Sequence, residues 1–198
     1  MFNKSIRGIV LKQNLMKPSR RQLLATSVGL SVTLAGCSGG NDSNGGGDPN
    51  TNSQNNEPVD TDGDGVPDAQ DEYPDDPDLS SSQTESDTRN LEEDQWRHFS
   101  ISFSSTGYIE FDFIVRDGPA IDVILMDESE YEHFDQGDRY EYIPDLSALD
   151  SSGATVSSKI PEGEYRLVVD NSGRGEASPP TNLSNDVVNV EYDLTLAE

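Results

Sequence analysis

One cysteine, Cys37, and two histidines, His98 and His133, are all that the 198 residues contain of the two residue types. A single thiol excludes a disulfide within the chain, so stability must come from an apolar core and from any bound metal. So few soft donors also argue against a closed zinc site, and a type 1 copper centre is excluded once the thiol is committed elsewhere. Tryptophan occurs once, at Trp96. There is no uninterrupted apolar run of the roughly 20 residues that a membrane-spanning helix needs. Cations are scarce, with 13 Lys and Arg against 38 Asp and Glu and a formal net charge of −25. Such a charge repels nucleic acid and anionic headgroups, so nucleic acid is excluded as a partner. An acidic surface poor in Lys suits concentrated salt, where the Debye length falls to about 3 Å and self-repulsion is screened.

The first 36 residues lack acid altogether. They carry six basic side chains, Lys4, Arg7, Lys12, Lys17, Arg20 and Arg21, and every Asp and Glu lies beyond them. Arg20-Arg21 precedes an uncharged stretch from Leu23 to Ala35, the length of a signal-peptide apolar region rather than of an anchor. Leu34-Ala35-Gly36-Cys37 follows directly. The paired arginines resemble the twin-arginine export signal, and the last four residues resemble a lipobox. Together they imply that residues 1–36 are removed and that Cys37 takes a diacylglyceryl group. Two acyl chains make a durable anchor where one binds only marginally. The expected location is the extracellular face of the cell membrane, with membrane lipid as the first partner.

Residues 37–58, after Cys37 itself, hold Gly, Asn, Ser, Asp, Gln, Thr, Pro and a single Glu, and read as a flexible tether. Next comes Asp60-Thr61-Asp62-Gly63-Asp64-Gly65-Val66-Pro67-Asp68-Ala69-Gln70-Asp71. Calcium loops of twelve residues use side-chain oxygens at positions 1, 3, 5, 9 and 12, a main-chain carbonyl at 7, and Gly at 6 for the sharp turn. Asp60, Asp62, Asp64, Asp68, Asp71, the Val66 carbonyl and Gly65 occupy those positions, so calcium is the expected cofactor. Pro74 and Pro77 argue against the flanking helix of an EF-hand. Residues 59–79 instead resemble one thrombospondin type 3 repeat, which implies calcium wrapped with little regular structure. Extracellular modules of this kind bind at about 10⁻⁴ to 10⁻³ M, which suits a stiffener rather than a sensor. Residues 80–94, polar and Ser-rich, read as a second linker.

Strong period-2 patterning begins at residue 95. Trp96 to Phe103 and Tyr108 to Val115 alternate as strands, with a hairpin turn expected at Ser104-Ser105-Thr106-Gly107. Further strands are expected over 120–126, 155–160, 165–169 and 187–196, and short helical packing over a sheet edge at 129–149. Ile121 to Asp127, Ile160 to Asn171 and Val190 to Leu194 resemble the jelly-roll sandwiches of the pre-peptidase C-terminal and GOLD types. The resemblance implies an all-β fold, a C-terminal jelly-roll-like β-sandwich over 95–198, serving as a non-catalytic binding module.

Catalytic readings find little support. Nothing resembles a strand-to-helix nucleophile elbow, no carboxylate pair stands out among the acids, and the two histidines read as surface or packing residues. The chain is therefore not expected to be an enzyme. As a whole it resembles exported surface lipoproteins of the haloarchaeal type: a lipid-anchored, calcium-binding stalk presenting a sandwich to a protein or glycan ligand. The alternative is a non-catalytic accessory subunit of an envelope or secretion assembly.

Overall fold

The computed structural model describes residues 3–6, 9–14, 58–180 and 184–198. Arg20, Arg21, Cys37 and the first linker lie outside the described residues. The elements in chain order are β1 (Asn3–Ile6), β2 (Ile9–Asn14), β3 (Ser82–Leu91), β4 (Gln95–Phe103), β5 (Gly107–Asp117), β6 (Ile121–Asp127), α1 (Glu128–Gln136), β7 (Ala148–Ser151), β8 (Gly153–Ile160), β9 (Gly163–Asn171) and β10 (Val188–Ala197), with a 3₁₀ turn at Pro144–Leu146. The fold is an all-β sandwich.

One sheet runs β3-β10-β5-β8 and the other β1-β2-β4-β9-β6-β7, with antiparallel neighbours throughout. Counted from β3, the two orders are 1-8-3-6 and 2-7-4-5, the double Greek key of a jelly roll. The β1-β2 pair extends the second sheet by joining the free edge of β4, where Lys12 faces Ser100 and Asn14 faces His98.

Two expectations are corrected by this topology. β4 and β5 lie in different sheets, so Ser104 to Gly107 is an arch between layers rather than a hairpin. The C-terminal residue holds it: Glu198 accepts hydrogen bonds from the backbone N–H groups of Ser104 and Ser105, at 2.8 and 2.7 Å. Gly107 is required there, because a Cβ would stand 2.2 Å from the Phe103 ring. Residues 82–91 are likewise a strand and not a linker, paired with β10 from Ser82↔Ala197 to Leu91↔Val188. The alternation is present, but Gln83, Glu85, Asp87 and Arg89 stand on the more buried side, and only Leu91 there is apolar. An edge strand so polar carries no hydropathy signal.

Phe99 and Ile101 of β4, Phe111 and Phe113 of β5, and Tyr192 and Leu194 of β10 meet in the inter-sheet core. Phe99 and Phe111 each pack against Tyr192, with centroids 5.4 and 5.7 Å apart. A second, smaller core lies on the outer face of the β4-β9-β6 sheet, where Trp96, Ile124, Met126 and Val168 meet Phe134 of α1. Of the stretch 129–149, α1 thus covers a sheet face, while Ile143 and Leu146 close the edge at β6 and pack into the inter-sheet core. Gly137, at φ 77, ends α1 in the left-handed conformation that glycine adopts without steric cost.

Candidate functional site

Asp60, Asp62 and Asp64 come together, each offering an oxygen within 4.8 Å of the others. The chain turns tightly around them. The Asp60 carboxylate accepts from Gly63 N (2.8 Å) and Gly65 N (3.1 Å), and Asp64 accepts from Val66 N (2.6 Å). Both glycines have positive φ, 80 and 94°, which these side-chain-to-backbone turns impose. Asp71 lies close enough for its charge to act on Asp62. Burial first, then the charges of Asp64, Asp71 and Asp60, raise the Asp62 carboxyl above its usual range, against a lowering by its bond from Asp64 N. One oxygen each of Asp62 and Asp71 is buried without a hydrogen-bond partner among the described residues. Those orphaned oxygens and the uncompensated charge fit a hard cation, which takes oxygen ligands and supplies the missing positive charge. Asp68 is not brought into the group. Its two oxygens accept from Thr61 N and Thr61 Oγ1, both at 2.7 Å, closing the loop at its rear.

The acidic segment is docked on the sandwich. Lys159 of β8 bridges Asp76 (2.6 Å) and Asp78 (3.0 Å), Glu72 accepts from Ser82 N at 2.7 Å, and Leu79 is buried. A cleft of 430 Å³ between segment and sheet is lined by Tyr73, Leu79, Tyr108 and Lys159.

A different cleft, of 490 Å³, opens beside the outer core. Tyr140 and Tyr142 line it from the stretch after α1, together with Asp138 and Arg139, and Arg174 and Glu176 line it from the loop after β9. The Tyr140 and Tyr142 rings are 6.4 Å apart and tilted by 57°, and Tyr142 remains 39% exposed. Arg174 is anchored over the Trp96 ring at 4.2 Å and donates to the Phe134 carbonyl at 3.1 Å. Sequence reading assigned Tyr140 and Tyr142 to packing. The cleft was illegible there because Arg174 and Glu176 come from a loop remote in sequence, brought alongside by the β6-β9 pairing.

His98 is a packing residue, buried against Tyr131 with ring centroids 4.5 Å apart. Burial, with Arg166 nearby, lowers its pKa to about 4, so the ring is neutral at physiological pH.

No family model matches the chain, and no curated protein matches it. Among solved structures it is similar to TmCBM61, determined in complex with β-1,4-galactotriose, at 10% identity over 61% of this chain and 91% of that one, with a TM-score of 0.28. It is also similar to the carbohydrate-binding module CBM6cm-2 from Cellvibrio mixtus lichenase 5A, determined with cellotriose, at 12% identity over 61% of this chain and 92% of that one, with a TM-score of 0.27.

Proposed function

We propose that this chain is a lipid-anchored cell-surface binding module that uses the Tyr140–Tyr142 cleft to hold a glycan. The observation that carries the reading is the aromatic pair itself, half-open to solvent and ringed by Asp138, Arg139, Arg174 and Glu176. Sugar rings present apolar C–H faces that stack on aromatic rings, and their hydroxyls donate to carboxylates and accept from guanidinium groups at the rim. An open cleft of this kind admits part of a chain rather than enclosing a small molecule. Affinity electrophoresis against a panel of soluble polysaccharides tests it. A retarded band for the wild-type chain that Tyr142→Ala releases supports the reading; equal mobility of both proteins on every glycan removes it.

In the same reading the module is exported through the Arg20-Arg21 signal and held at the outer face of the membrane by acylated Cys37. Intact-mass measurement of membrane-purified protein should find the chain beginning at Cys37 and heavier by a diacylglyceryl group. Asp60, Asp62, Asp64 and Asp71, with the Val66 carbonyl, would hold calcium, and Asp68 would serve as the loop's latch rather than as a direct ligand. Calcium supplies there the counter-charge that the carboxylates lack. Added calcium should protect residues 58–79 from proteolysis in high salt, and Asp64→Ala should abolish that protection. Similar digestion of both proteins would reduce the segment to a plain connector.

A further inference from the structure

The β3-β10-β5-β8 sheet turns Ile109, Phe111 and Leu194 into the inter-sheet core. Strand alternation therefore sends Tyr108, Glu110 and Thr195 to its outer face. The register sets Tyr108 beside Lys159, and Glu110 beside Thr195, in two adjacent rows. The acidic segment crosses this end of the sheet, held by Lys159 and by buried Leu79, and its Tyr73 and Asp76 make the opposite wall of a cleft. At 430 Å³ the cleft falls within the roughly 300 to 1,000 Å³ of small-ligand sites. Both tyrosines are half-buried.

The lining selects among ligands by charge. Asp76 and Glu110 repel anions, while the one ammonium, on Lys159, is already shared between Asp76 and Asp78 and opposes a second cation. Glu110 Oε2 accepts from Tyr108 OH at 2.7 Å, and the Thr195 hydroxyl lies 2.8 Å from that of Thr84. Two aromatic rings and a set of hydroxyl and carboxylate groups suit a neutral ring with apolar faces and a hydroxylated rim, which is a sugar.

One side chain joins this cleft to the calcium loop. Asp71 Oδ1 accepts from Tyr73 N at 2.7 Å, whereas Oδ2 is buried without a hydrogen-bond partner among the described residues. A cation held by Oδ2 fixes the same carboxylate that positions Tyr73.

We propose that the Tyr73–Tyr108 cleft is a second saccharide site, for a short stretch of neutral sugar, whose Tyr73 wall is set by calcium in the Asp60–Asp71 loop. It rests on the calcium reading of that loop and is independent of the Tyr140–Tyr142 cleft. Linkage is reciprocal, so sugar in the cleft also tightens the hold on calcium.

Amide shift mapping of the whole described sandwich locates binding residue by residue. Cellobiose, lactose and maltose are titrated in turn into the isotope-labelled chain in high salt, with calcium and then with chelator. In calcium, at least one of these disaccharides should shift the amides of residues 73, 108–110, 159 and 195, and chelation should weaken its binding severalfold. Tyr108→Ala should abolish those shifts, its remaining amide positions reporting that the sandwich is folded. Asp71→Asn keeps an oxygen for Tyr73 N but loses the charge, so its binding should no longer respond to calcium. Shifts at residues 140–142 report the other cleft separately, and amide exchange at Tyr73 reports the loop. If calcium leaves that exchange unchanged, the calcium reading fails and this proposal with it. If calcium slows it, yet the disaccharide shifts are absent, equal in chelator, or preserved in Tyr108→Ala, the second saccharide site alone is overturned.

Discussion

In β5, Ile109, Phe111 and Phe113 are buried while Asp112 and Ile114 between and beside them are exposed; in β6, all of residues 121–126 are buried. The first strand belongs to a sheet with one wet face, the second to a sheet covered on both. An alternating pattern therefore marks a boundary of the core, and an unbroken apolar run marks a strand inside it. The exception within that run is Asp122, a carboxylate at a position where only apolar side chains otherwise occur. The doubly covered sheet is also where the Tyr140–Tyr142 cleft and the buried acids Asp122 and Asp170 lie, because the α1 region and the 172–177 loop build walls there, whereas the other sheet is covered only in part, by residues 72–79.

The comparison predicts two different consequences of removing one phenylalanine. Phe111→Ala, in the inter-sheet core, should cost about 3 to 5 kcal/mol, the usual cost of such a deletion, and lower the urea midpoint of the whole sandwich. Phe134→Ala empties a similar volume under α1. Its loss should release mainly α1 and the 137–142 stretch, read as faster amide exchange there with β10 amides still protected. If both variants shift every amide equally, the outer core is not a separable layer.

His98 sharpens the same contrast through pH. Its neutral ring packs under α1, and its folded pKa of about 4 lies below the ordinary 6.5. A group depressed on folding contributes stability above its unfolded value and loses it as the pH falls toward the folded one. The loss between pH 6.5 and 4 should be on the order of 3 kcal/mol. His98→Phe should flatten that part of the stability profile relative to wild type, measured by denaturant midpoints at a series of pH values. Parallel profiles would mean that the imidazole is wet in solution.

Asn171 joins the layers rather than belonging to one. Its buried Nδ2 donates to the carbonyls of Leu91 (3.2 Å), Glu92 (3.1 Å) and Asp186 (2.9 Å), tying the end of β9 to the chain leaving β3 and entering β10. Asn171→Ala strands those carbonyls and should cost about 1 to 3 kcal/mol.

The strands over 95–198 were legible because Phe, Ile, Val and Tyr alternate against polar residues, which reports a half-buried sheet directly. β3 was not, since its partner β10 supplies the apolar side of the pair and Gln83, Glu85 and Asp87 reveal nothing by hydropathy. β7 is only four residues long and follows a helical stretch. The loop acids Asp60, Asp62 and Asp64 were readable because local spacing alone brings them together. Asp122 and Asp170 were not, because their encounter depends on a strand register that joins residues far apart in sequence, and because each sits in an apolar run that reads as plain core.

The smallest expected effect concerns the seam between the acidic segment and the sheet. Lys159 is partly exposed, and its pairs with Asp76 and Asp78 hold both short and screened contacts at the surface. Those carboxylates raise the Lys159 ammonium above its ordinary value, and Lys159 in turn lowers Asp76. Exposed pairs of this type stabilise little and weaken with salt. Lys159→Met should therefore leave the urea midpoint of the sandwich unchanged while raising amide exchange in residues 72–79 at low ionic strength. In molar salt, wild type and variant should converge, since screening removes from the wild type what the substitution removes from the variant. The segment would then remain attached through Leu79 and the Glu72–Ser82 bond, which do not depend on the lysine. A Lys159→Met chain whose sandwich unfolds at markedly lower urea would instead make the acidic segment part of the core rather than its appendage.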